Sequence, residues 1–446
     1  MTDKYTEFVS KGFGKDLAKK LGLPQPVVLR RHTPGDPLVT GPVLVQGSSS
    51  GAEELAQELL SWGLDIRRHV TAKEKFGAIV LVLDDVQHPT DLEESVLATG
   101  SALRHLAANS RVVTVFRSPV SAGAPAIAAA RQGIDGFVRS LAKELRAGST
   151  ANGIVLAEDV SPVSPGALGA LQFFLSGRSA FVDGQFLTIG NNDGALPPKR
   201  DSPLEGRVAV VTGAARGIGA AIARTLYRDG ATLILVDIPA AGDHLAKIAN
   251  EVHGSALQLD ISREDAGQKI LEHAKSRHGH LDIVVHNAGI TRDKLLANMD
   301  PARWNSVLAV NIAAQLRINE ALLASDVFAQ RPRIVSVAST SGIAGNRGQT
   351  NYAASKGGVM GMVRSTAAAM ETKGGAINAV APGFIETEMT ARIPFATREV
   401  ARRLNSLQQG GKPVDVAEAI AFLASDAAAG INGEVLRVCG QNLVGA

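Results

Sequence analysis

Three residues in the second half of the chain have the types and spacing to move a proton. They are Ser339, Tyr352 and Lys356, within the stretch STSGIAGNRGQTNYAASK. Tyr352 and Lys356 are four apart, so on a helix they share a face, and Ser339 stands thirteen residues earlier, just past the strand-like run Arg333–Ala338. A turn would bring the three together. A tyrosine titrates near ~10, so it exchanges protons with an alcohol or ketone near neutrality only where a cation stabilises its phenolate. Lys356 is placed to be that cation, and a serine hydroxyl within reach would hydrogen-bond the same substrate oxygen. Tyr-x-x-x-Lys by itself also spells an exposed pair on an ordinary helix, so the elements around it must decide.

Upstream, the run from Leu204 to Arg224 reads as a strand, a glycine turn and a helix, with Gly213, Gly217 and Gly219 in the turn. A pyrophosphate needs backbone N–H groups and a helix N-terminus close by, and side chains at those positions would obstruct it. The next strand-like run, Leu233–Asp237, ends in a carboxylate 24 residues beyond Gly213, the placement expected for a ribose ligand. Asp237 would accept hydrogen bonds from both ribose hydroxyls and repel a 2′-phosphate, which favours NADH, with NADPH possible. Arg216, in the glycine turn, argues the other way, since it would pair with a 2′-phosphate.

The order and spacing of Thr212-Gly-x-x-x-Gly-x-Gly219, Asp260, Asn287-Ala-Gly289, Asn311, Ser339, Tyr352-x-x-x-Lys356 and Pro382-Gly-x-x-x-Thr387 resemble a short-chain dehydrogenase/reductase. The resemblance covers about residues 204–446. Gly348–Lys356 and Pro382–Thr387 look most like the 3-oxoacyl-(acyl-carrier-protein) reductases, and the long N-terminal part resembles their high-molecular-weight, two-domain variety. The resemblance implies roles. Tyr352 would be the general acid, Ser339 the carbonyl positioner, and Lys356 both phenolate stabiliser and ribose ligand. Asn311 would anchor a water that relays protons from Lys356. Gly213, Arg216, Gly217, Ile218, Gly219, Asp237, Asp260, Ile261, Asn287, Ala288, Gly289, Pro382, Gly383, Ile385 and Thr387 would line the cofactor, with Asp260 at the adenine and Thr387 at the carboxamide. Val438-Cys439-Gly440 departs from the family's more usual Asp-Gly-Gly.

A chain of 446 residues exceeds one ordinary core and points to two domains, 1–200 and 201–446. Forty-six glycines, 45% hydrophobic residues and 4% aromatics suit two α/β sheets. With 46 basic and 43 acidic residues, a net +3, there is no broad electrostatic case for nucleic acid. The lone Cys439 excludes an intramolecular disulfide, fits a reducing cytoplasm and reads as a small buried hydrophobe. No segment reaches the roughly 18 apolar residues of an integral membrane span, and the first 21 residues lack a signal-peptide core. Tyr5, Phe8, Val9, Phe13, Leu17 and Leu21 would form an apolar stripe beside five lysines, weakened by Gly12 and Gly14. His273, His278, His280 and His286 lack ligand-spaced partners, so no metal is expected and they read as surface and turn residues.

The composition of Asn191–Pro203 marks a linker. Before it, strand-like runs at Val43–Gln46, Ala78–Leu83, Arg111–Phe116 and Ile154–Leu156 alternate with helical patterns, which gives a flavodoxin-like or degenerate Rossmann domain ahead of the catalytic Rossmann domain. The halves are related: Gln132–Ser140 parallels Gly357–Ser365, and Asp183–Leu187 parallels Asn432–Leu436. In that alignment Tyr352 falls on Ile127, Lys356 on Arg131 and Ser339 on Arg117. Gly47 and Gly51 persist, Glu53 takes the third glycine position, and Leu83-Asp-Asp85 replaces the Asn-Ala-Gly run. The first half is therefore expected to be non-catalytic, with a structural or assembly role in a homodimer.

The leading expectation is a 3-oxoacyl thioester reductase, acting on acyl-carrier-protein or coenzyme A substrates. A dehydrogenase of a sugar, steroid or other secondary alcohol uses the same four residues, and a non-catalytic scaffold is a third reading. Glu386–Lys412 reads as a substrate lid whose Arg392, Arg398, Arg402, Arg403 and Lys412 would meet a coenzyme A phosphate or an acidic carrier, or else form a solvated helix.

Overall fold

The computed structural model describes residues 4–9, 12–71, 74–120, 122–391 and 393–442. The chain divides into two compact units. The first comprises Met1–Leu196, Phe395–Gly410 and Gly440–Asn442, and the second Pro197–Pro394 with Gly411–Cys439. The change of unit at Leu196/Pro197 falls inside the linker that composition marks. Two downstream segments also cluster with the first unit, and packing so far along the chain leaves no trace in local composition.

The first unit holds six strands: β1 (Val43–Gln46), β2 (Ile66–Arg67), β3 (Phe76–Leu83), β4 (Leu106–Arg117), β5 (Thr150–Leu156) and β6 (Phe186–Ile189). They pair in parallel in the order β2-β1-β3-β4-β5-β6, the flavodoxin-like arrangement. The second unit holds β7 (Val208–Thr212), β8 (Thr232–Asp237), β9 (Ser255–Gln258), β10 (Leu281–His286), β11 (Phe328–Val337), β12 (Ala376–Pro382) and β13 (Val435–Val438). Their order is β13-β12-β11-β10-β7-β8-β9, again all parallel. Helices cover both faces of such a sheet, which is why β7, β10 and β12 are buried along their whole length and are mostly apolar. The expected pair of doubly wound α/β domains is what forms. The first lacks one βα unit: eight residues separate β2 from β3, whereas 43 separate β8 from β10 and include β9 and the helix Ala266–His278.

Hydrogen bonds repeat between the halves. Arg111 and Arg333, both buried at the same place in β4 and β11, fan one guanidinium nitrogen onto three carbonyls: those of Asn109, Ser110 and Gly148 at 3.1–3.4 Å, and those of Arg331, Pro332 and Gly374 at 3.1–3.4 Å. Asn109 and Arg331, two residues before each arginine, share a left-handed backbone with φ of 57° and 60°. Asn152 in β5 and Asn378 in β12 each donate to a carbonyl, of Val182 at 3.1 Å and of Ile431 at 2.8 Å, and accept from Gln185 N and Glu434 N at 3.0 Å.

Two expectations fail. The N-terminal apolar stripe does not form, because Gly12, with φ of 54°, separates the helix Lys4–Val9 from Gly12–Lys20; Val9 is buried while Phe8, Phe13 and Leu21 are exposed. His286 is no surface residue. It lies buried in β10, with Nε2 2.8 Å from Asn319 Oδ1, and burial pulls its imidazole down to about 4. Its place after the apolar run Ile283–Val285 fits a fully buried strand as well as a turn. Among the described residues no group of His, Cys, Asp and Glu could hold a metal ion, and no helix is long and apolar enough to cross a membrane.

Candidate functional site

The glycine turn follows β7. Gly213 has φ of 65°, and a Cβ there would lie 2.8 Å from Ala288 Cα; a Cβ on Gly219 would collide with the Gly213 carbonyl and lie 2.6 Å from Asn287 Nδ2. Glycine is obligatory at both because the turn is folded against the Asn287–Ala288 loop. That loop is tied down in return: Asn287 Nδ2 donates to the carbonyls of Thr212 and Gly213, both at 3.0 Å, and the amides of Asn287 and Ala288 donate to Thr212 Oγ1 at 3.0 and 3.1 Å. Gly217, with φ of 57°, opens the helix Gly217–Arg228, and a Cβ there would meet nothing within 4 Å. No side chain caps this helix, so its first N–H groups face an open, glycine-lined space suited to a pyrophosphate.

Asp237 ends β8 half-buried. Its two oxygens accept from Ala215 N at 3.0 Å and Ile238 N at 2.9 Å, which fixes the carboxylate against the glycine turn with lone pairs to spare. Arg216 and Asp260 are exposed, Ile218 is half-buried and Ile261 buried; Asp260 accepts from Ser262 N and Oγ at 2.9 and 2.7 Å. Pro382 closes β12, and Gly383 runs so near β13 that a Cβ would lie 2.6 Å from Cys439 Cβ. The buried Cys439 is thus a packing element, in the sequence that departs from the family pattern. Ile385 is buried, and Thr387 N donates to Thr390 Oγ1 at 2.8 Å to start the turn into Glu388–Ala391. Together these residues fit a nicotinamide dinucleotide: an anion-binding helix start, a ribose-height carboxylate, and glycines where backbone must approach a ligand.

The proton-handling residues converge from three elements. Ser339 follows β11, the helix Thr350–Glu371 carries Tyr352 and Lys356, and Asn311 sits in a π-helical turn, Ala309–Ala313. Ser339 stands close enough to the Tyr352 side chain to oppose the upward shift of its phenol. Lys356 is buried, donates from Nζ to the Val337 carbonyl at 2.7 Å, and lies 5.7 Å from the centroid of the Tyr352 ring. A Cβ on Gly289 would come within 3.3 Å of Asn311 Oδ1 and 3.5 Å of Lys356 Nζ, so this glycine keeps the floor of the site open. Asn311 clamps the loop to the helix: Oδ1 accepts from Ile290 N at 2.8 Å, and Nδ2 donates to Ile290 O and Ser355 Oγ, both at 3.0 Å. The π-turn rotates Asn311 inward out of the α-helical register.

Burial pushes the Tyr352 phenol up; Ser339 opposes this and the Asp293 carboxylate adds to it. Burial pulls the Lys356 ammonium down to about 8. The phenol is therefore held protonated near neutrality, the form that delivers a proton, while Lys356 stands ready to offset a phenolate once the proton has left. Sequence reading missed Ser355, which accepts from Asn311 and donates to the Tyr352 carbonyl at 2.7 Å, and Asn351, whose Nδ2 donates to Arg292 O at 3.1 Å and Arg303 O at 3.3 Å. Their only signal is adjacency to Tyr352 and Lys356 on one helix.

The arginines assigned to the lid turn inward. Arg402 is buried and ion-paired to Glu399; Arg403 also contacts Glu399 and stacks on Tyr5. Arg398 lies 5.9 Å from the Phe395 ring, and Lys412 starts the helix Pro413–Leu423, its amide donating to Asp415 at 2.6 Å. Arg392 lies outside the described residues. Acidic Glu399, one turn from Arg402 and Arg403, turns that cluster from a ligand for external phosphate into an internal network.

The model of the family described as Enoyl-(Acyl carrier protein) reductase matches residues 213–440. The 3-oxoacyl-[acyl-carrier-protein] reductase FabG of Thermotoga maritima is 40% identical over 240 residues, 53% of this chain and 98% of that protein. Those of Pseudomonas aeruginosa and Escherichia coli are 42% identical over 240 residues and 39% over 238, each across 53% of this chain and 97% of theirs. The matched region holds the glycine turn, the Asn311 clamp and the Ser339–Tyr352–Lys356 cluster, and through it the chain belongs to the short-chain dehydrogenase/reductase family.

Proposed function

We propose that this protein reduces 3-oxoacyl thioesters to 3-hydroxyacyl thioesters, on acyl-carrier protein or coenzyme A. The observation that carries this is the convergence of Ser339, Tyr352 and Lys356 in the same domain as the glycine turn, in a chain related to proteins named 3-oxoacyl-[acyl-carrier-protein] reductase. The bound nicotinamide supplies the hydride. The Ser339 hydroxyl holds the carbonyl oxygen, and Tyr352 donates the proton that turns the oxygen into an alcohol. Lys356 stabilises the phenolate so formed and holds the nicotinamide ribose, and Asn311 anchors the water through which the site is reprotonated. A carbonyl substrate suits this site better than an enoyl one, because the polar pair is aimed at a single oxygen.

NADH is the preferred reductant in this reading, since the Asp237 carboxylate would face a 2′-phosphate with like charge. The first domain performs no catalytic step, and the protein assembles as a homodimer, which light scattering tests. Initial rates with acetoacetyl-CoA under NADH and NADPH test the activity: the expected result is 3-hydroxybutyryl-CoA with the higher kcat/KM for NADH. Asp237→Ala should narrow that gap. Reduction of crotonyl-CoA in preference to acetoacetyl-CoA would replace the proposal with an enoyl reductase.

A further inference from the structure

Two buried side chains that no catalytic step above uses hold the π-helical turn Ala309–Ala313. In that turn Ala314 N reaches back five residues to Ala309 O, so the backbone leaves the α-helical register around Asn311. An α-helix would give the Asn311 carbonyl to the Gln315 amide. Here the Gln315 side chain reaches that carbonyl, with Nε2 donating to Asn311 O at 2.8 Å. The other end of the same side chain is bonded too, since Ser336 Oγ donates to Gln315 Oε1 at 3.0 Å. Asn311, Gln315 and Ser336 are each at most 1% exposed, so no solvent stands in for a lost partner.

Ser336 belongs to β11, the strand that presents the Val337 carbonyl to Lys356 Nζ at 2.7 Å and leads into Ser339. Asn311 in turn accepts from Ile290 N and donates to Ser355 Oγ, which bonds the Tyr352 carbonyl at 2.7 Å. A continuous run of hydrogen bonds therefore joins the strand ahead of Ser339 to the helix that carries Tyr352, and Gln315 is the link that crosses between them. A buried amide bonded at both ends has one orientation to keep, and removing either bond leaves a buried polar group unpaired. We infer that Gln315 and Ser336 are positioning residues for proton delivery, fixing Asn311 and, through it, the spacing of Tyr352 and Lys356 from Ser339. Both lie in the core and act through Asn311. The inference rests on the reductase reading above.

The test uses the full chain with Gln315→Met, Ser336→Ala and Ser336→Thr, measuring steady-state reduction of acetoacetyl-CoA by NADH in ordinary and in heavy water. Gln315→Met keeps the reach of the side chain and loses both bonds. Its kcat should fall about tenfold, with both KM values within about twofold of wild type. The solvent isotope effect on kcat should rise, because the slowed step is the proton transfer. Ser336→Ala should lose part of that rate, and Ser336→Thr, which keeps the hydroxyl, should stay within about twofold of wild type. The Ile290 amide, bonded to Asn311 Oδ1, should exchange its hydrogen faster in Gln315→Met. Unchanged kcat in both Gln315→Met and Ser336→Ala overturns the inference. So does a lower kcat with an unchanged isotope effect, which reports lost active protein and not misplaced groups. Where Gln315→Met does not fold, the serine pair decides: equal losses in Ser336→Ala and Ser336→Thr overturn the inference, and rescue by threonine supports it. A wild-type protein inert toward acetoacetyl-CoA is a different failure, which removes the reductase reading and the inference with it.

Discussion

The two domains keep the same skeleton of hydrogen bonds and differ almost entirely at the carboxyl ends of their strands. Arg111 and Arg333, or Asn152 and Asn378, answer the same demand, the pairing of buried carbonyls and amides at strand edges. Where the second domain has Ser339, Tyr352 and Lys356, the first has Arg117, Ile127 and Arg131. Arg117 donates to the carbonyls of Ala157, Glu158 and Val160 at 2.7–3.2 Å, and the buried Arg131 bonds Ser118 O at 2.9 Å and pairs with Glu158. Both arginines are spent on tying together the segments that follow β4 and β5. The glycine turn has changed as well: a Cβ on Gly51 would collide with Asp84, as one on Gly219 would crowd Asn287, so Gly51 is the counterpart of Gly219 and the first turn is two residues shorter. Glu53, which the alignment set on the third glycine, lies a step further into the helix Ser50–Ser61. What the two domains share lies in interior hydrogen bonds that a substrate never sees.

The comparison is broken most sharply at Tyr352. Tyr352→Phe should lower kcat about a thousandfold while the dissociation constant for NADH stays within about twofold, measured by single-turnover kinetics and cofactor fluorescence. Retained turnover would mean that the second domain, like the first, does not use the motif. A buried difference gives the next largest effect. Burial raises Asp183 to about 7, and one of its oxygens has no hydrogen-bond partner, whereas Asn432 at the same place satisfies both ends through Ile377 N and Ala367 O. A carboxyl raised in the folded state stabilises it below the unfolded value and loses that contribution as pH rises to about 7. Asp183→Asn should therefore gain on wild type by about 2 kcal/mol between pH 5 and pH 8, read from thermal unfolding at the two pH values.

Smaller still is the pH response of the site. Lys356 loses its charge through about 8, so kcat for reduction should halve near that pH and decline beyond it, in a profile with no counterpart in the first domain. The smallest effect sharpens the contrast from the other side. Ile127→Tyr with Arg131→Lys restores the motif letters to the first domain, and placed in the Tyr352→Phe background it should return no activity, because the shorter turn and the absent βα unit leave no dinucleotide site.

The sequence made the second domain legible because its site depends on local spacings: a glycine turn, a strand-end carboxylate, a helical i, i+4 pair. The first domain's strands at Val43 and Ala78 were equally legible from apolar runs, while β2, at two residues, was too short to rise above its surroundings. Gly51 was misaligned because turn length is invisible until the backbone is traced. The inward turn of Arg402 and Arg403, and the departure of Phe395–Gly410 from its own domain, depend on contacts with Tyr5 and Val27 that no window of neighbouring residues contains.

That the first unit is assembled from three separate stretches has a consequence for how the chain comes to be made. Its sheet is synthesised before residue 197, yet residues 395–410 and 440–442 emerge from the ribosome about two hundred residues later or more, at roughly ten residues per second. The domain that is begun first is finished last. During that interval the surfaces destined for Leu407 and Gln441 stand open to chaperones, and the first unit is completed by a long-range closure.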